Sequence, residues 1–160
     1  MKARTYILTT VVVLAGALLS APSSDASNTA ERSGHQRFVL ITTDPDVEGG
    51  PIAANGVIHA KGTDVTLKGN RDRFKFPKGN VVIRHRTAKG SVHESFDPTT
   101  CLFTHRERGT WQAIRGTKAY ADVSGGGTYR ALFQGFSCDP ENTPPDPFFS
   151  HIVAKGKLSY

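Results

Sequence analysis

The sequence predicts an all-β chain, a small antiparallel barrel or sandwich, and three observations predict it. Short runs rich in Val, Ile, Phe, Tyr and Thr recur along most of the chain. Clusters of Gly, Pro, Asn and Asp lie between them, and such clusters end strands because they supply turn conformations or remove a backbone donor. Past residue 26, no window keeps apolar residues at helical spacing for three turns. About eight strands of this length suit one domain, and with so little helix, closing the sheet removes its free edges.

The first 26 residues stand apart. Lys2 and Arg4 precede an apolar run over residues 6–19, and small residues follow as far as Ser24-Asp25-Ala26. This is the layout of a secretory signal peptide over residues 1–26. Cleavage after Ala26 is favoured over Ala21, because Pro22 would follow the latter cut. The competing reading, a retained anchor, needs about 20 apolar residues, and this run is shorter. The expectation is a secreted, extracellular protein with no transmembrane segment once the signal is removed. Losing Lys2, Arg4 and Asp25 takes the formal charge from +6 to +5. Residues 27–36 are small and polar and read as a disordered lead-in. Residues 37–160 read as a single β domain.

The strands follow in order: RFVLITT from Arg37, NGVIHAKGTDVTLKG from Asn55, DRFKF from Asp72, NVVIRHRTA from Asn80 and SVHESF from Ser91. CLFTHRER from Cys101, TWQAIRG from Thr110, GTYRALFQGF from Gly127 and SHIVAKGKLSY from Ser150 complete the set. DPDVEGGP, PKGN, AKG, DPTT and DPENTPPDP read as the turns. Side chains alternate across a strand. Val81, Ile83 and His85 therefore share one face; so do Cys101, Phe103, His105 and Glu107, and so do Tyr129, Ala131 and Phe133.

Between the last two runs lies RGTKAYADVSGGG. Residues 117–122 can form a short helical turn whose one large side chain, Tyr120, folds back under the sheet as a plug; the competing role is a ligand-contacting phenol. Gly125, Gly126 and Gly127 supply positive-φ conformations and close backbone approach as the chain re-enters a strand. Cys101 and Cys138 are the only cysteines. An even count in an exported chain predicts one disulfide, contributing about 4 kcal/mol by the loop-closure argument.

GTWQAIRGTKAYADVSGGGTYR, residues 109–130, resembles the G-T-x-x-I-x-G-G-T-G-x-Y-x-x-x-x-G-x-G-T signature of secreted actinobacterial proteins in the allene oxide cyclase-like β-barrel superfamily, which includes the dirigent proteins. The resemblance implies an eight-stranded antiparallel β-barrel with a central cavity. It marks Gly116, Thr117, Tyr120, Gly125 and Gly127 as structural motif residues. Arg115 and Lys118 depart from it, standing where the pattern has glycine and adding positive charge at the turn end. The family's catalytic residues lie outside this signature and are not matched residue by residue here, so the resemblance implies the fold and leaves the activity open.

Candidate chemistry is sparse. His85, His93, His105, Glu94 and Glu107 cluster in sequence, and His85, His105 and Glu107 fall on inward faces, where a histidine and a carboxylate can do acid and base work. The competing reading is structural or rim histidines. None has a metal-ligand spacing, so no metal and no cofactor is expected. Ile83, Phe103, Ala131 and Phe133 are the expected ligand-binding side chains of an apolar interior. Trp111 reads as wall packing. Arg84, Arg86, Arg106 and Arg108 form an expected outward basic face without interleaved aromatics, which gives no specific nucleic-acid signal. Asp44-Pro45-Asp46 and Asp139-Pro140-Glu141 read as turns, not calcium loops.

The favoured function is binding of a small lipophilic ligand in the cavity without catalysis. The alternatives are a cyclase- or isomerase-like enzyme acting on a lipophilic substrate, and a basic surface-interaction protein.

Overall fold

A computed structural model describes residues 32–44, 49–139 and 144–160. The expected signal peptide and residues 27–31 of the lead-in lie outside the described residues. Among the described residues the fold is all-β, with nine strands and a single 3-10 turn, Lys118–Tyr120. The strands are β1 Ser33–Thr42, β2 Gly50–Gly56, β3 Ala60–Leu67, β4 Arg71–Phe76, β5 Gly79–Thr87, β6 His93–Asp97, β7 Leu102–Gly116, β8 Ser124–Phe136 and β9 Phe148–Ser159. They lie in the order β5-β4-β3-β2-β1-β9-β8-β7, every pair antiparallel, and β5 pairs with β7 to close an eight-stranded barrel. β7 is long enough to serve two partners along one edge, with β8 on the other. Residues 109–116 pair with β5, and residues 102–106 pair with β6, which hangs below the closure as an appended strand.

The elements differ from the sequence reading in five places. β1 begins at Ser33, so residues 33–36 of the expected lead-in belong to the barrel. Gln36 explains why: its amide accepts from Ile58 N–H at 2.7 Å and donates to Ile58 O at 3.2 Å, fastening the β2–β3 connection to β1. β2 takes up the end of the expected turn DPDVEGGP, and the run from Asn55 is divided at residues 57–59 between β2 and β3. The runs at 101–108 and 110–116 are one strand, because Gly109 interrupts the side chains but not the ladder. Gly125, Gly126 and Gly127 lie inside β8 instead of leading into it, and among them only Gly125 has a positive φ, +121°. The other two serve close approach: a Cβ on Gly127 would strike the Lys155 carbonyl, and one on Gly126 would lie 2.6 Å from the Trp111 carbonyl.

Aromatic residues fill the barrel. Phe38 is fully buried, with Phe74 at 5.0 Å and Trp111 at 5.5 Å between ring centroids. One end is sealed by the turn after β7. Tyr120 is buried there, edge-on to Tyr160 at 4.9 Å and to Phe76 at 6.3 Å. Thr117 Oγ1 accepts from Asn80 N–H at 3.0 Å, and a Cβ on Gly116 would run into the Tyr120 carbonyl. Exposed Arg115 and Lys118 flank this end. At the other end Cys101 and Cys138 are bridged, with Cα atoms 4.7 Å apart, just outside the Leu102↔Phe136 rung. Among the described residues no helix is long and apolar enough to cross a membrane.

Candidate functional site in the barrel cavity

The end opposite Tyr120 leads into a cavity of about 340 Å³, inside the size range of small-molecule sites. Phe74, Ile83, Trp111, Phe133, Ile152 and Ala154 line it with apolar surface. Five of its polar groups come from five successive strands of the wall, Asp64 on β3, Asp72 on β4, His85 on β5, Glu107 on β7 and Tyr129 on β8, and Thr42, Asp44, Thr66 and Ser150 also line it.

Strand alternation places them. In β4, Asp72 shares the inward face of Phe74 and Phe76. Asp64 pairs across with Phe74 and Asp72 with Ile83, so the two acids sit diagonally on adjacent strands. β3 is held in this register by Gly62, where a Cβ would strike the Lys75 carbonyl and press on the Phe76 ring at 2.7 Å.

The side chains make one connected path. Asp72 Oδ2 lies 3.5 Å from His85 Nε2, and the His85 ring stands edge-on to Tyr129 at 6.0 Å. Tyr129 Oη donates to Glu107 Oε1 at 2.8 Å, while Thr87 Oγ1 lies 3.0 Å from that hydroxyl and donates to Glu107 Oε2 at 3.3 Å. Glu107 Oε2 is 3.7 Å from His105 Nε2, whose other ring nitrogen meets Glu94 Oε1 at 2.8 Å.

Asp64 stands outside this path. It is 5% exposed, and its Oδ1 is buried with no hydrogen-bond partner among the described residues. Burial, and secondarily the charge of Asp72, push its carboxyl up to about 7, against a lowering bond from Val65 N–H. Asp72 is also raised by burial, opposed by His85. Burial pushes the Tyr129 phenol up to about 12, so it remains a hydrogen-bond donor at any ordinary pH. A carboxyl that is half protonated near neutrality can donate to a carbonyl or ether oxygen, or accept from a hydroxyl.

Of the expected ligand-binding residues, Ile83 and Phe133 line the cavity. Ala131 is buried in the core without lining it, and half-buried Phe103 lies where β7 runs alongside β6. His85 and Glu107 line the cavity; His105 packs against Phe133 at its edge, 5.5 Å between rings. Glu94 joins through His105, whereas His93 is exposed and faces outward beside Arg106. Trp111 both packs the wall and lines the cavity, its Nε1 donating to Lys155 O at 3.3 Å. The turn readings at Asp44 and Asp139 fall partly outside the described residues. Among the described residues no three His, Cys, Asp or Glu side chains are grouped to hold a metal ion. The arginines of the expected basic face are all exposed. Arg84 and Arg86 pair with Gln112 and Thr110, which sets Arg86 diagonal to Arg108, while Arg106 lies beyond the end of β5.

No protein-family model matches the chain, and neither the characterised proteins nor the solved structures contain a significant match to it.

Proposed function

We propose that the barrel binds a small, largely apolar molecule in this cavity, with a polar group held among Asp64, Asp72, His85 and Tyr129. The observation that carries the reading is Asp64 Oδ1, buried beside the cavity with no partner among the described residues. A buried, unpartnered carboxyl is costly, and a guest that hydrogen-bonds to it removes that cost. The closed barrel and the Tyr120 turn support the resemblance to the allene oxide cyclase-like superfamily. The disulfide and the N-terminal pattern support export, with the mature chain beginning at Ser27. Intact mass of protein recovered from the medium tests that start, and a chain beginning at Met1 refutes it.

The test of binding uses 1-aminoanthracene, a small apolar amine that fluoresces when it leaves water. The wild type should enhance its fluorescence saturably. Ile152→Trp, which fills the cavity, should abolish the enhancement, and Asp64→Asn should weaken it. Unchanged titration of the Ile152→Trp variant defeats the proposal. A second reading, cyclase- or isomerase-like catalysis, is favoured by one observation: a carboxyl near 7 stands in the same cavity as the Asp72–His85 pair, and acid and base groups poised near neutrality suit proton transfer. An Asp64→Asn variant that keeps probe binding while losing turnover of a lipophilic substrate would support that reading.

A further inference from the structure

The outer wall of the barrel holds a second candidate site, independent of the cavity. Antiparallel pairing sets Arg108 of β7 directly opposite Arg130 of β8, and Lys155 of β9 directly opposite Arg37 of β1. Arg106 stands one outward position along β7 from Arg108, and Lys155 is paired with Thr128, the outward neighbour of Arg130. The five cations, all exposed, thus form a diagonal across four strands. Cations on adjacent strands of such a diagonal are separated by about 5 to 8 Å.

Among the described residues this arrangement has no internal compensation. The outward positions of β1, β7, β8 and β9 contain no Asp or Glu. The acid that borders the groove, Glu107, turns its carboxylate to Tyr129 and Thr87. Like charges directly opposite each other in a sheet are destabilising, so the alignment of Arg108 with Arg130 and of Lys155 with Arg37 works against the fold unless an anion lies over it. The diagonal follows a groove of about 760 Å³, with Leu132 and Val153 between the cations.

We propose that this groove binds a linear phosphate polymer, recognised by its charges. Charge complementarity selects a polyanion, and the planar guanidinium fork fits phosphate oxygens two at a time. Outward positions along the diagonal carry no Phe, Tyr or Trp. With Tyr129 turned inward to Glu107, the groove's remaining rings are His93 and His151 at its sides, which gives no run of large rings on which successive unpaired bases are held and favours a polymer without bases.

The probe is inorganic polyphosphate, titrated calorimetrically into the full-length mature protein. Binding should be measurable at about 50 mM salt and fall about a hundredfold by about 200 mM, as expected for some five phosphate contacts. The Arg108→Gln/Arg130→Gln pair should weaken binding at least tenfold and reduce the slope of log affinity against log salt by about 2, with a melting temperature equal to or above wild type. Arg108→Lys/Arg130→Lys should retain the slope. Lys61→Gln/Lys75→Gln removes the same charge from exposed positions on β3 and β4 and should leave binding within twofold. The proposal is overturned if polyphosphate does not bind at low salt, if the two Gln pairs weaken binding equally, or if heparin or duplex DNA binds while polyphosphate does not.

Discussion

Asp64 is where a single residue bears most on behaviour. Its carboxyl titrates near 3.8 as an ordinary aspartate and near 7 in the folded barrel. Between those values the folded chain keeps a proton that the unfolded chain has lost, so stability declines as pH rises through that window, by a few kcal/mol. Asp64→Asn should flatten the melting temperature between about pH 4 and pH 7 and raise it above wild type at pH 8. A variant as steep as wild type would show that another group carries the titration. Tyr129→Phe should cost about 1 to 2 kcal/mol in chemical denaturation, because Glu107 keeps Thr87 but loses the closer of its two donors inside the barrel. The two acids differ in how readable they are. Asp72 lies in phase with Phe74 and Phe76, so alternation in DRFKF already points it inward. Asp64 is out of phase with the obvious apolar residues of β3, Val65 and Leu67, and alternation points it to solvent. Gly62 reverses this, since only its missing side chain lets that face pack against β4.

At the scale of elements, the β7–β8 hairpin is fixed at both ends by features visible in the sequence. Tyr120 is seated between Phe76 and Tyr160, and Tyr120→Ala should destabilise by about 3 to 5 kcal/mol, the usual cost of deleting a large buried ring. Ligand-independent loss of melting temperature is the readout; a fully stable variant would mean that the ring is not a plug. At the far end, replacing Cys101 and Cys138 with Ser should cost about 4 kcal/mol for a bridge closing this length of chain. What the sequence left unread were elements held by their neighbours. β2 contains Pro51 and Ala53-Ala54, poor strand formers, and is a strand because it lies between β1 and β3. β7 reads as two runs because Gly109 breaks the pattern of side chains. A Cβ there would strike the Arg86 carbonyl and the Tyr129 ring at the crowded inner wall, so Gly109→Ala should destabilise measurably despite its higher strand propensity.

For the whole molecule, closure divides the strands into two classes. The eight barrel strands are each paired on both edges, β7 sharing one edge between β5 and β6, whereas β6 has β7 alone and is exposed along its whole length. Amide exchange should therefore be fast in residues 93–97 and slowest in β8 and β9, since a strand with one partner opens locally at little cost; equal protection would contradict the appended position of β6. The seal at Tyr120 also determines how material can pass. A tube with one mouth has a direction of loading. Whatever enters must travel leading end first, stop against Phe74 and Trp111, and retrace the same route to leave. Asp64 lies on the same rung as Phe74, so under the proposed binding role a guest would carry its polar group at the leading end and leave its apolar body towards the mouth. On that reading the blind end would sort asymmetric molecules by which end goes in first.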